Sequence, residues 1–282
     1  MNIKAIYLTV LLLGLPACVL ATDYKAYQMP HTQVVPIRDP LTNADYELYV
    51  KLPKNYYDNK DKHYPVLYFT DAMWAIEALS SSTYYIFEDV ILVGISWRKD
   101  ITEKQKNEVG VHASRFPDYT FKKSDDPEIQ AKYQPGKASR HLTFIRNNVI
   151  PRVEEIYRAE NNNRTYFGYS TGGLFGFYIL LTQPDTFNNY LLGSPSVWYY
   201  VPELSDMAIN LKPAPGLPPR NVMISRGTEE IDLGKHIEKV VSALASREDN
   251  FINIHQHYPN GDHVTAFPET VIQSVKWLYQ KQ

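Results

Sequence analysis

Residues 164–180, RTYFGYSTGGLFGFYIL, constrain the fold more than any other stretch of the 282-residue chain. Residues 165–169 are a short run of β-branched and aromatic side chains behind the polar residues 161–164, the signature of a buried strand. Leu174, Phe175, Phe177, Tyr178, Leu180 and Leu181 then fill a helix-length segment that stops at Pro184. Between the two lies Gly168-Tyr169-Ser170-Thr171-Gly172, a G-x-S-x-G pattern. Five common residues are a weak signal alone; their place at a strand-to-helix turn makes them specific. The backbone must bend sharply there, and Gly168 and Gly172 remove side chains that would collide. The turn holds the Ser170 hydroxyl clear of the sheet. The following helix offers its N-terminal N–H groups and positive dipole end to an oxyanion formed beside it. The plainer alternative is a buried glycine-rich turn whose serine is incidental.

The rest of the chain says what sheet this turn belongs to. Residues 32–37 and 46–52 read as strands, the second with Tyr46, Leu48, Val50 and Leu52 on one face. Asp39-Pro40 and Asn43 supply a turn, so a hairpin is predicted. Residues 64–69 and 89–96 are continuous apolar runs, suited to strands covered on both faces. Further strands fall at 187–192, 221–225 and 251–258. Leu142, Ile145, Val149, Val153 and Ile156 mark one face of a helix with Pro151 as a predicted kink. Two more helices follow around Ile237–Leu244 and Val271–Leu278. Strands first and repeated β–α units afterwards predict a single α/β domain over residues 22–282. Its sheet is doubly wound and mostly parallel, with antiparallel N-terminal strands.

Residues 97–140 break this rhythm. They are polar and aromatic without periodicity, as functional or disordered segments are. Their root follows the strand at 89–96, on the side where loops carry ligands. The segment is expected to lie over the site as an irregular insert. It would offer Arg98, Arg115 and Arg140 for polar recognition and Trp97, Phe116 and Tyr119 as apolar faces. Arg115 pairing with Asp118 merely to order the loop is the competing expectation.

The first 21 residues read as a signal peptide: one positive charge, an apolar run over 5–15, and Val19 and Ala21 at the −3 and −1 positions of a cleavage site. The run is too short to span a membrane comfortably. Cleavage would leave Thr22 as the mature start, in an exported, periplasmic or secreted protein. Leu15-Pro16-Ala17-Cys18 resembles a lipoprotein box, but Pro16 suits it poorly, and simple cleavage is favoured over a lipid anchor at Cys18. Cys18 is the only cysteine, so the mature chain would rely on its core rather than on disulfides. A formal net charge of −2 gives no sign of a nucleic-acid partner. The 22 tyrosines are explained by strand formation as readily as by a ligand site.

Ligands of open α/β sheets bind at the carboxyl ends of strands. Ser170 follows one strand, Glu229, Glu230 and Asp232 follow a later one, and His263 follows the last. The chemistry explains the set: a serine hydroxyl needs a neutral imidazole to take its proton, and a carboxylate holds that imidazole's tautomer. The other histidines serve less well. His31 and His63 come too early, His236 reads as a helix surface residue, and His112 and His141 belong to the insert. His255 and His257 alternate in a strand without a third ligand, so no metal and no cofactor is expected. Asp262 is expected to shape the turn at His263.

From about Tyr46 onward the chain resembles the Putative esterase family of α/β-hydrolases, in its enterochelin (siderophore) esterase-like branch. The matching segments include Tyr64-Pro65-Val66-Leu67-Tyr68, Arg115-Phe116-Pro117-Asp118-Tyr119-Thr120, Gly168 to Leu174, Ser194-Pro195-Ser196-Val197-Trp198 and Gly227-Thr228-Glu229-Glu230. The resemblance implies an α/β-hydrolase fold with Ser170 and His263 catalytic. It selects Glu230 as the acid, three residues beyond Gly227. It puts the oxyanion hole on the backbone of Thr171, Ala72 and Met73, although relatives carry Gly where Ala72 stands. With Arg115, Trp97 and Tyr119 toward the substrate, the expected activity is serine hydrolysis of a siderophore lactone or other small carboxylic ester through an acyl-enzyme. An acyltransferase on the same fold is the alternative enzyme reading; a secreted binding protein would tend to have lost Ser170 or His263.

Overall fold

The computed structural model describes residues 24–282; the expected signal peptide with its cleavage site, and Cys18, lie outside the described residues. Strands β1 (Thr32–Asp39) and β2 (Ala44–Lys51) form the predicted hairpin, followed by β3 (Tyr64–Phe69), helix α1 (Ala72–Ile86) and β4 (Ile91–Ile95). Four short helices come next: α2 (Glu103–Glu108), α3 (Arg115–Tyr119), α4 (Pro127–Tyr133) and α5 (Ala138–Phe144). A π-helical turn, Ile145–Val149, leads into α6 (Ile150–Ile156). Then come β5 (Ala159–Tyr169), α7 (Thr171–Thr182), β6 (Asn189–Gly193), α8 (Val201–Asn210), β7 (Arg220–Ser225), α9 (Ile231–Ala245), β8 (Ile252–His257) and α10 (Phe267–Tyr279).

The eight strands make one sheet in the order β1-β2-β4-β3-β5-β6-β7-β8. β1 and β2 pair antiparallel with each other and β2 with β4; every other pairing is parallel. The sheet separates two apolar layers, and alternate residues of a single strand supply both. In β3, Val66 and Tyr68 face the layer containing α7 and α9, while Leu67 and Phe69 face that of α1 and α10. Sheet strands covered on both sides explain the continuous apolar runs. α7 is apolar all round because it is enclosed: Phe175, Phe177, Ile179 and Leu180 are fully buried. Each contributes about 1.5–3 kcal/mol of hydrophobic stabilisation relative to exposure.

Three expectations change. Residues 97–140 are not wholly irregular, since they carry α2 to α5. Local cues for two of these are present: a capping box from Thr102 to Gln105, and Asp126 capping a helix that begins with Pro127. Pro151 is the second residue of α6, behind a π-helical turn in which the Ile150 N–H donates to the Ile145 carbonyl. The turn accommodates a residue that cannot donate to the helical ladder. Finally, α1 was absent from the sequence pattern. Ser80, Ser81, Ser82 and Thr83 dilute it, yet Ala72, Ala75, Ile76 and Leu79 lie on one face and bury it on the sheet.

Candidate active site

β5 lies between β3 and β6 near the middle of the sheet, and Ser170 is the residue between its end and α7. Ser170 has φ 58° and ψ −120°, a left-handed conformation for a non-glycine residue. The surroundings enforce it. The Ser170 N–H donates to the Gly193 carbonyl at 2.9 Å, and its own carbonyl accepts from Ser196 and Leu174 N–H, each at 3.0 Å. A Cβ on Gly168 would collide with the Gly172 carbonyl, and one on Gly172 would stand 2.5 Å from Thr70 Oγ1. Tyr166 braces the same turn by donating to the Gly172 carbonyl at 2.8 Å. The glycine pattern is thus explained by steric necessity.

His263 occupies the loop between β8 and α10. Asp262 accepts from the Val264 N–H, the Thr265 N–H and the Thr265 hydroxyl at 2.8–2.9 Å, so it shapes this turn as expected. Of the three candidate carboxylates, the structure brings Glu230 to the histidine: Oε1 lies 2.6 Å from His263 Nδ1. Its other oxygen accepts from the Ser194 hydroxyl at 2.6 Å and the Gly227 N–H at 2.7 Å. Burial raises the Glu230 pKa, but hydrogen bonds from His263, Ser194 and Gly227 outweigh it and hold the carboxyl below its usual range. Glu229 is exposed, and Asp232 is exposed and paired with Lys235 at 2.8 Å. With Nδ1 engaged, Nε2 is the ring nitrogen left for Ser170. The Ser170 hydroxyl itself rests 3.1 Å from that of Ser196.

The turn from β3 into α1 stands beside this group. Asp71 has φ 56°, and the Trp74 and Ala75 N–H groups return to its carbonyl at 2.8 and 3.2 Å. Ala72 and Met73 open α1 and Thr171 opens α7, positions whose N–H groups have no acceptor within their own helices. The Asp71 carboxylate is the centre of a buried polar cluster. It accepts two bonds from Arg115, at 2.6 and 2.9 Å, and one from the Trp97 indole N–H at 2.6 Å. The Arg115 guanidinium lies over the Trp74 ring, 4.8 Å from its centre. Burial disfavours its charge, but Asp71 outweighs that and raises the Arg115 pKa.

This arrangement corrects the expected substrate contacts. Arg115 pairs with Asp71, not with Asp118, which is buried and accepts from the Tyr46 hydroxyl at 3.0 Å. Trp97 and Tyr119 are 8% and 1% exposed, so neither presents a face to a ligand. Trp74, which the sequence pattern did not single out, takes that place: it is 52% exposed and borders the cavity beside Ser170. That cavity, about 500 Å³, is also lined by Arg115, Phe167, Phe267 and His263. A second cleft of about 370 Å³, bordered by Ser196, Trp198, Glu229 and Ile231, opens at His263 as well. Ser194 and Ser196 lie in a segment that the sequence marks by a strand end and by the family resemblance. No local spacing assigns them a role, because their partners come from β5 and from the β7–α9 loop.

A nearly parallel sheet with a serine elbow at the end of a central strand, and an acid and a histidine after later strands, defines an α/β-hydrolase of the serine-esterase class. The Putative esterase family matches residues 40–278, and the chain belongs to that family. It is 25% identical over 186 residues to the ferri-bacillibactin esterase BesA of Bacillus subtilis, 63% of either chain. It is 44% identical over 66 residues to a siderophore enterobactin esterase of Emericella nidulans, a match covering 23% of this chain and 22% of the relative. These matches span less than two thirds of the curated relatives' length. Among solved structures, the BES protein from Bacillus cereus superposes with a TM-score of 0.75 at 19% identity, covering 91% of this chain and 97% of that one. An IroE-like serine hydrolase from Shewanella oneidensis gives 0.71 at 19% identity, covering 88% and 80%. Both have the same fold.

Proposed function

We propose that this protein hydrolyses carboxylic esters of the siderophore type through an acyl-enzyme on Ser170. The observation that carries this reading is the 2.6 Å contact of Glu230 with His263 Nδ1, beside a serine held at a strained elbow. Ester binding turns the Ser170 hydroxyl from Ser196 toward His263. As Ser170 Oγ bonds to the ester carbon, His263 Nε2 takes its proton and Glu230 stabilises the imidazolium. The carbonyl oxygen becomes an oxyanion that receives the N–H groups of Thr171, Ala72 and Met73. Collapse breaks the ester C–O bond, and the proton on Nε2 goes to the departing alkoxide. Water then attacks the acyl-serine by the same relay and releases the acid. The N–H groups named come from backbone, so a side-chain methyl at Ala72 leaves the donor in place.

The substrate class draws on relatives named as esterases of ferri-bacillibactin and enterobactin. The site suits a bulky ester: two clefts meet at His263, and Trp74 and Trp198, 52% and 42% exposed, stand at their margins. Aromatic faces of this kind bind planar groups. A fluorophosphonate tests the nucleophile. One covalent adduct is expected on the peptide containing Ser170 and none in Ser170→Ala; labelling elsewhere, or none in the folded protein, overturns the reading. Turnover of siderophore lactones well above that of simple acetates supports the substrate class, and the reverse order removes it.

Export and a single domain over residues 22–282 belong to the same proposal. Among the described residues no helix is long and apolar enough to cross a membrane. Intact mass of protein from the native host is expected to begin at Thr22 without lipid. A mass including a diacylated Cys18 would put the enzyme on a membrane surface instead.

A further inference from the structure

Ser170, Glu230 and His263 stand on separate connections, after β5, β7 and β8. A working relay needs them aligned to a fraction of an ångström. The hydrogen bonds that do this converge on two side chains outside the proposed triad. Ser194, just beyond β6, is fully buried, with φ 38° and its N–H on the Ser225 carbonyl at 2.7 Å. Its hydroxyl lies 2.6 Å from Glu230 Oε2 and 3.0 Å from the Tyr169 phenol oxygen. One proton cannot fully serve both, and the carboxylate is the stronger acceptor. Ser194 therefore donates to Glu230. Tyr169, the residue before Ser170, donates its own hydroxyl to the His263 carbonyl at 2.8 Å. Burial pushes the Tyr169 phenol up to about 12, so it stays protonated and able to donate at neutral pH.

We propose that Ser194 and Tyr169 are positioning residues for the reaction: Ser194 aims the Glu230 carboxylate at His263 Nδ1, and Tyr169 pins the His263 backbone beside the nucleophile. The inference rests on the Ser170–His263–Glu230 reading. Its geometry gives each group a distinct task. Glu230 Oε2 is held by Ser194 and the Gly227 N–H, which leaves Oε1 to His263. Without the Ser194 hydroxyl the carboxylate is tethered by one backbone donor and can rotate. Without the Tyr169 hydroxyl the His263 carbonyl loses its tie to the strand that carries Ser170. The same turn also supplies Ser196, against which the Ser170 hydroxyl rests, so one short segment after β6 touches the acid and the nucleophile together.

The test is a mutant cycle read as separate kcat and KM on a neutral ester. Ser194→Ala keeps a side chain suited to the same backbone and removes only the hydroxyl. It is expected to lower kcat by on the order of tenfold or more, with KM within about twofold, because the lost bond is to a charged group. In a Glu230→Gln background the same change should lower kcat no further, since the histidine tautomer it protects is already lost. A full additional loss in that background, or a loss carried by KM, overturns the proposal and marks Ser194 as a packing residue. If Ser194→Ala does not fold, Tyr169→Phe carries the test with the same expected split, and it should lower kcat no further in a His263→Ala background, where the group it positions is already gone. Ser170→Ala run alongside separates the two levels: if it keeps turnover, the triad reading has failed; if it is inactive while Ser194 and Glu230 losses add, this proposal alone has failed.

Discussion

Ser170→Ala is expected to cut ester turnover by about 10⁵–10⁶-fold while the protein remains folded. The size follows from the unit nature of the relay: without the nucleophile, histidine and acid have no proton to move, and only binding and the oxyanion donors remain. The fold should survive for local reasons. The Ser170 hydroxyl has one protein hydrogen bond, to Ser196, whose loss costs about 1 kcal/mol. The strained backbone is imposed by Gly193, Ser196 and the close approach of α7, and alanine meets it as serine does. His263→Ala should lose a comparable amount, and the double variant little more than either. Thermal unfolding and ester kinetics on the same preparations check this. Retention of most activity by Ser170→Ala with an unchanged melting temperature removes Ser170 as nucleophile.

The second large effect is expected at Arg115. The sequence leaves Arg115 between polar recognition of the substrate and a loop-ordering pair with Asp118. The structure leads to a different expectation. The side chains of Arg115 and Asp71 are 11% and 7% exposed, and Asp71 is the residue from which the turn carrying the proposed oxyanion donors Ala72 and Met73 departs. Removing the guanidinium leaves a buried carboxylate with the Trp97 indole N–H as its remaining side-chain donor, at a cost of about 3–5 kcal/mol. Melting should fall by on the order of 10 °C. Activity should fall alike on anionic and neutral esters, because a displaced turn misplaces the N–H groups for any carbonyl. Calorimetry and kcat/KM on a matched pair of esters decide the matter. Loss confined to the anionic ester at an unchanged melting temperature would return Arg115 to the substrate.

Much of this protein is legible without coordinates because it depends on neighbours in the chain. The elbow at Ser170 is such a case: a strand, two glycines and a helix within 17 residues of sequence, each needing only its neighbours for its conformation. The parallel strands announce themselves by burial on both faces, and the order of Ser170, Glu230 and His263 follows from strands whose carboxyl ends share one edge. What needed the tertiary structure is which side chains meet across that edge. Glu229, Glu230 and Asp232 are equivalent carboxylates by spacing. Only the path of the loop into α9 turns Glu230 inward to His263 and leaves the other two in solvent. Arg115 finds Asp71, 44 residues away, rather than Asp118 on its own helix, because the turn after β3 brings the Asp71 carboxylate to the guanidinium while Asp118 is turned inward to the Tyr46 hydroxyl. α1 carries little signal in its sequence, since its helix is stabilised by the sheet it covers more than by its serine-rich composition. Local steric and periodic rules reach a few residues along the chain; hydrogen-bond partners are chosen over a few ångströms in space, and folding alone brings them within that distance.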